Sequence, residues 1–202
     1  MTALKIYGVP LSRAFRPLWC ANELGLSYEN VPTHFAGGQT KTPEFLAINP
    51  NGKLPAIEQD GFTLSESMAI NFYLAKKAGG DLIPGGLEGE ARVLQWSFWA
   101  VYELEKQLLA AWLNRSFLPE EKRSAAAADE AEKQIQRPLK VLESALQKTG
   151  YLIGSNFTLA DLNVAAVMSW ALPGKVNMAA FPNVAKWLEA CLNRDAAKKA
   201  KP

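Results

Sequence analysis

LKIYGVPLSRAFRPLWCANELG, residues 4–25, is the stretch on which the fold turns. Residues 4–9 (LKIYGV) are largely apolar and β-prone, which reads as a strand. A turn follows at Pro10-Leu11-Ser12, and from Arg13 to about Leu24 the pattern is helical until Gly25 supplies a stop. YENVPTHF (28–35) is a second strand, and an edge one if Pro32 belongs to it, because proline has no N–H for a ladder. Strand, helix and strand in that order imply a parallel pair, since parallel neighbours need a crossover between them.

Beyond a polar loop, LPAIE (54–58), a turn at Asp60-Gly61 and FTL (62–64) read as a hairpin. A helix runs from about Glu66 to Lys77, with Met68, Ile70, Phe72, Tyr73 and Leu74 among its apolar positions. The order β-α-β then β-β-α makes an α/β unit with a mixed four-stranded sheet. AGGDLIPGGLEGE (78–90) is glycine-rich and aperiodic, a linker. Everything after it reads as helix, first over about residues 88–116. Pro119 with Glu120 and Glu121 is expected to open the next helix, the acids lying near its positive dipole end. Ile135, Leu139, Leu142 and Leu146 continue it, Pro138 is expected to kink it, and Gly150 ends it. A last pair covers about 159–172 and 183–193, and Lys198 to Pro202 reads as a frayed, solvated end. The domains expected are therefore 1–78 (α/β), a linker at 79–88, and an all-α helical bundle over 89–202.

Composition narrows the function. The chain has 202 residues, 49% of them hydrophobic, with 22 basic against 20 acidic residues and a formal net charge of +2. That balance offers no electrostatic argument for nucleic acid or a membrane surface as partner. The N-terminus reads as a strand rather than a signal peptide, and no window approaches the run of about 18 apolar residues of a membrane span, so a cytoplasmic protein is expected. Cys20 and Cys191 lack metal spacing, and the lone His34 speaks against a multi-histidine metal site and most Ser-His triads. No metal is expected.

Four local features carry possible chemistry. Ser12 sits where a helix begins, so its hydroxyl is either a plain N-cap or a donor that stabilises a thiolate. Asn49-Pro50-Asn51-Gly52-Lys53-Leu54-Pro55-Ala56 enters a strand through Leu-Pro, either as a plain trans proline on an edge or as a cis proline that turns the Leu54 backbone outward to pair with an extended peptide. Thr63-Leu64-Ser65-Glu66-Ser67 opens a helix, either as an ordinary capped start or as a holder for both ends of an amino acid: N–H groups for its carboxylate and Glu66 for its ammonium. Thr158 with Asp161 makes a capping-box pattern, assigned to folding.

Taken in this order and spacing, IYGVPLSRAFRPLWCANELGL (6–26), NPNGKLPAIE (49–58), TLSESMAINFYLA (63–75) and SNFTLADLNVAAV (155–167) resemble the cytosolic glutathione transferase superfamily over essentially the whole chain. The first segment is similar to the start of its serine-using theta and phi classes, where a Ser is followed four residues later by Arg, as Ser12 and Arg16 are here. The resemblance implies a thioredoxin-like N-terminal domain that holds glutathione and a helical domain that shapes the second substrate's pocket. It implies that Ser12 stabilises the glutathione thiolate, that Leu54, before a cis Pro55, pairs with the cysteinyl part, and that Glu66 and Ser67 bind the γ-glutamyl end. Lys53 would serve the glycyl end or the backbone near it, and the loop before the second helix could add Gln39 or Lys41; Thr40 stands where serine-type members often carry a His. Other classes use a Tyr near the end of the first strand; there the helix Arg follows more closely than Arg16 follows Tyr7, which favours Ser12 and leaves Tyr7 as a packing residue.

The implied activity is detoxification-type conjugation of glutathione to a small apolar electrophile, in a pocket among Leu11, Phe35, Tyr102, Leu108, Trp112 and Phe117, although helix-core packing explains such residues equally well. The resemblance also makes a homodimer the default, through apolar residues near Phe62 and on the helix of Trp96. Two rivals remain: a glutathione-dependent disulfide reductase or peroxidase on the same site, and a non-catalytic interaction module on the same fold.

Overall fold

The computed structural model describes residues 2–201, which divide into two compact units: one of residues up to Leu82 together with the chain from Arg194 onward, the other Ile83–Asn193. The first contains β1 (Leu4–Tyr7), α1 (Phe15–Glu23), β2 (Tyr28–Val31), a 3-10 turn (Gln39–Lys41), α2 (Pro43–Ile48), β3 (Ala56–Gln59), β4 (Phe62–Ser65), α3 (Ser67–Ala78) and α9 (Asp195–Ala200). The sheet order is β2-β1-β3-β4. β1 and β2 are parallel with Leu4 opposite Tyr28, whereas β1 and β3 are antiparallel with Ile6 opposite Ile57, and β4 closes the hairpin with Ile57 opposite Leu64. This is the thioredoxin-like arrangement with the mixed sheet expected. Strand alternation places Leu4 and Ile6 in the core, and the opposite face presents Tyr7, whose ring meets Phe45 of α2 edge-on with centroids 6.0 Å apart.

Several boundaries differ from the sequence expectation. α1 starts at Phe15 rather than Arg13, because residues 10–14 form turns in which Ser12 N–H donates to Val9 O (2.9 Å) and Phe15 N–H to Ser12 O (3.1 Å). β2 stops at Val31, before Pro32. The stretch read as a polar loop contains α2, with Pro43 in its first turn, Thr42 accepting from Phe45 N–H, and Phe45 buried. Where a frayed end was expected from Lys198, the described residues continue as helix to Ala200: α9 buries Ala197 and Ala200, and packs on α1. Asn22 donates to Ala196 O, and Arg194 Nε donates to Glu23 at 3.0 Å. Pro202 lies outside the described residues.

The second unit is helical. From Gly86 to Phe117 the chain runs as α4 (Gly86–Trp99), a π-helical segment (Ala100–Glu105), α5 (Lys106–Trp112) and a second π-helical segment (Leu113–Phe117). A 3-10 turn (Glu120–Lys122), α6 (Ala125–Thr149), α7 (Leu159–Met168), a 3-10 turn (Ser169–Ala171) and α8 (Pro182–Leu192) follow. Pro119 and its glutamates open only that short turn; α6 begins after Arg123 turns extended, and Ser124 caps it by accepting from Ala127 N–H. α6 continues across Pro138, buries Ile135, Leu139, Leu142 and Leu146, and ends at Gly150 in the left-handed region. Every residue of α7 is buried. Its capping box is formed: Asp161 Oδ2 accepts from the Thr158 N–H and hydroxyl, both 2.9 Å, while Oδ1 accepts from Leu152 N–H and the Trp187 indole. Among the described residues no helix is long and apolar enough to cross a membrane.

Candidate functional site

The site of the first unit is organised around Gly8, at the end of β1. Its φ of +132° suits glycine, and a Cβ built there would lie 2.5 Å from Ala14 Cβ. The same position is 3.5 Å from Ser12 Oγ and 3.7 Å from Leu54 Cβ. The missing side chain therefore lets the 9–14 turn fold back on the sheet, with the Ser12 hydroxyl and the Leu54 side chain both flanking the Gly8 position. That hydroxyl donates to Val9 O (2.7 Å) and accepts from Ala14 N–H (3.1 Å). Ser12 is thus not the cap of α1, a position held by Ala14. It is half-buried, and its proton can swing from a neutral carbonyl to a stronger anionic acceptor.

The Leu54–Pro55 bond is cis. The loop before it is held by Asn49, a residue that sequence reasoning did not single out: its Nδ2 donates to Lys53 O (2.7 Å) and its Oδ1 accepts from Asn51 N–H (3.1 Å). Among the described residues, the Leu54 backbone N–H and C=O make no hydrogen bond. The Lys41 side chain lies over Gly52, where an added Cβ would come 2.7 Å from Nζ, so Lys41 and the Gly52–Leu54 stretch are brought together. Gln39 uses its Oε1 to accept from His34 N–H (2.6 Å), which pins its own loop. Thr40, in the same turn, is buried.

At the start of α3, Glu66 stands at φ +70° with its side chain exposed and not engaged in capping. Ser67 is buried, and its Oγ accepts from Arg16 Nη1 at 3.0 Å. Arg16 marked only a spacing in the sequence; folded, it is a buried cation under the helix N-terminus expected to bind a carboxylate. Tyr7 is committed elsewhere. Its hydroxyl donates to Glu58 Oε2 at 2.7 Å, and burial, aided by that carboxylate, pushes its pKa up to about 12.

The apolar residues expected to surround a second substrate separate by exposure. Leu11 and Phe35 are half-exposed in the first unit. In the helical unit Tyr102 is 86% exposed and Phe117 is exposed, whereas Leu108 is fully buried and belongs to the helical core rather than to an open pocket wall. Trp112 is largely buried, stacked on Trp170 (centroids 5.7 Å) and edge-on to Phe117 (4.9 Å). Both cysteines are buried, and burial pushes the Cys20 thiol far up, away from nucleophilic use. Among the described residues no three His, Cys, Asp or Glu side chains gather as a metal site.

With a half-buried serine after the first strand and a cis Leu54–Pro55 bond before the third, the chain can be set beside known families. "Glutathione S-transferase, N-terminal domain" matches residues 2–76 and "Glutathione S-transferase, C-terminal domain" residues 106–195. The chain is 37% identical to glutathione S-transferase 3 of Zea mays over 98% of its own length and 93% of that protein. It is 32% identical to elongation factor 1-gamma of Homo sapiens over 96% of its length but 45% of that protein. Among solved structures, the theta class glutathione S-transferase of Xanthomonas axonopodis pv. citri with glutathione bound superposes with a TM-score of 0.92 at 26% identity, covering 99% of this chain and 97% of that one. The protein belongs to the glutathione S-transferase family.

Proposed function

We propose that the protein is a glutathione transferase of the serine type, which binds glutathione on the first unit and conjugates it to a small apolar electrophile. The observation that carries this reading is that the Ser12 hydroxyl and Leu54 both flank the Gly8 position, with a Leu54 backbone that has no partner within the described chain. An extended cysteinyl segment paired with Leu54 brings its sulfur toward Ser12. The hydroxyl then shifts its hydrogen bond from Val9 O to the sulfur, favouring the thiolate; the thiol proton leaves to solvent. Each unit of pKa lowering corresponds to about 1.4 kcal/mol of differential stabilisation. The thiolate attacks an electrophilic carbon, a C–S bond forms, and a leaving group such as halide departs with its electron pair. Proximity supplies the remainder of the rate gain.

The other contacts follow the chemistry of glutathione's ends. Glu66, exposed at the start of α3, pairs with the γ-glutamyl ammonium, while the helix N-terminus and Ser67 over Arg16 receive the neighbouring carboxylate. Lys53 and Lys41, with Gln39, serve the glycyl carboxylate. Exposed Tyr102 and Phe117, with Trp112, give the helical unit an apolar surface for the electrophile, and Leu11 and Phe35 do so on the first unit. The reading carries a cytoplasmic, homodimeric enzyme. In support of self-association, Phe62 is exposed on the first unit, and Leu94, Phe98 and Val101 are exposed on the second beside a groove of about 340 Å³ lined by Trp96, Trp99 and Val141. A monomer by sedimentation would remove that part.

The test is isothermal titration with glutathione on the wild type and on Glu66→Ala. Micromolar-to-millimolar binding that is lost in the variant upholds the reading; a folded wild type that releases no heat and shows no competition sinks it. The likeness to elongation factor 1-gamma favours a second reading, an interaction module without catalysis. A protein that binds glutathione yet turns over neither an aromatic halide nor a mixed disulfide would support that reading. Turnover of the disulfide alone would make it a reductase.

A further inference from the structure

The segment 172–177 in the helical unit is held by side chains of the Leu113–Phe117 segment and of α6. Arg115 Nη1 donates to Gly174 O and Lys175 O, both at 3.1 Å. The Ser116 hydroxyl donates to Pro173 O at 2.5 Å, and Glu132 Oε1 accepts from Asn177 N–H at 2.9 Å. Arg115 Nη2 also pairs with Asp129 at 3.3 Å and with Glu132, so α6 anchors both the arginine and the far end of the loop.

The loop rests directly on Trp112: a Cβ at Gly174 would come 3.2 Å from Trp112 N and 2.8 Å from Trp170 O. Trp112 in turn stacks on Trp170 and meets Phe117. Arg115 and Ser116 can reach the loop because they lie in the π-helical segment, closed by Leu118 N–H donating to Leu113 O at 3.0 Å. The extra residue per turn alters which side chains face the loop, and such bulges are common at functional sites.

We propose that Arg115 is a positioning residue for the apolar second substrate. By clasping 172–177 onto Trp112 it fixes the placement of Phe117 and Leu172, the exposed apolar side chains flanking the clasp, and so selects among electrophiles. The inference rests on the transferase reading above. Lysine cannot replace the arginine, since one ammonium does not reproduce a planar fork that engages two carbonyls and two carboxylates.

The test is steady-state kinetics with glutathione and two halides of different bulk, chlorodinitrobenzene and benzyl chloride. Arg115→Ala is expected to raise the KM for the halides about fivefold or more and to change their ranking, with KM for glutathione within about twofold of the wild type. Arg115→Lys falls between. A merely structural role would lower active protein or kcat without this split. If Arg115→Ala does not fold, Ser116→Ala, which removes only the tether to Pro173, is expected to move the halide KM in the same direction by less. A folded variant with both halide KM values unchanged overturns the inference alone. A wild type without turnover of any electrophile removes the transferase reading and this inference together.

Discussion

Arg16 Nη1 donates to Ser67 Oγ at 3.0 Å, across 51 positions of the chain, and the two residues are only 2% and 6% exposed. A buried guanidinium is thereby set beneath the first turn of α3, where the helix N-terminus already favours an anion. Ser67→Ala removes one acceptor of a buried charged donor, so a loss of about 1–3 kcal/mol of stability is expected. Denaturant unfolding checks this. Titration of the folded variant with glutathione should show weaker binding, and unchanged affinity would remove Ser67 from the γ-glutamyl contacts.

Ser12→Ala should fold, because among the described residues its hydroxyl bonds Val9 O and Ala14 N–H within one turn. Its effect belongs to chemistry. The apparent pKa of bound glutathione, followed by thiolate absorbance, is expected to rise by about one unit, or about 1.4 kcal/mol, with kcat falling at neutral pH. A thiolate titration that matches the wild type would remove the assigned role.

Gly8→Ala places a methyl group 2.5 Å from Ala14 Cβ at a φ of +132°. Backbone strain and overpacking together should lower stability by about 2–4 kcal/mol. In whatever folds, Ser12 and Leu54 are pushed apart, so turnover should fall more than glutathione affinity. A variant as stable as the wild type would show that the turn is not held by this close approach.

Tyr7→Phe keeps the ring against Phe45 and loses only the bond to Glu58. Conjugation at neutral pH should persist; a collapse of kcat would shift the thiolate role from Ser12 to Tyr7. The pH dependence has a definite sign. The folded pKa is raised from about 10 to about 12 by burial first and by Glu58 second, so the native state holds its proton where the unfolded chain has lost it. The contribution is whole below pH of about 10 and is lost as pH rises toward about 12. Stability of the wild type should therefore fall more steeply than that of Tyr7→Phe over that window.

Asp161 accepts four hydrogen bonds while fully buried, and burial pushes its carboxyl up against the pull of those bonds. Asp161→Ala would strand the Trp187 indole, the Leu152 N–H and the Thr158 donors. A loss of about 3 kcal/mol or more is expected by thermal or denaturant unfolding. A loss below about 1 kcal/mol would mean that the cap contributes no more than a surface one.

Strand and helix order, the hairpin turn at Asp60-Gly61, the spacing of Ile135 to Leu146 and the Thr158–Asp161 box were all legible in the chain. Each depends on periodicity or on hydrogen bonds between residues a few positions apart, which local residue types encode. α2 carried a readable signal in Thr42-Pro43 with Phe45, but its short length hid it within a polar stretch. The start of α6 is ambiguous in the chain because Pro119 and Ser124 are both acceptable openings locally, and Arg123's extended backbone decides between them.

The sequence by itself determined the succession of the strands and the longer helices, the two compositions on either side of residue 80, and the residue types available for an anion, a thiolate and an apolar partner. Only the tertiary structure decided which of these meet. It sent Arg16 to Ser67, gave Tyr7 to Glu58, set Ser12 and Leu54 on either side of the Gly8 position, buried Leu108 while leaving Tyr102 in solvent, and folded α9 onto α1. The reason is physical. A helix or a cap is chosen by neighbours in the chain, whereas a buried donor must find its acceptor among whatever packing brings within about 3 Å, at any distance in sequence.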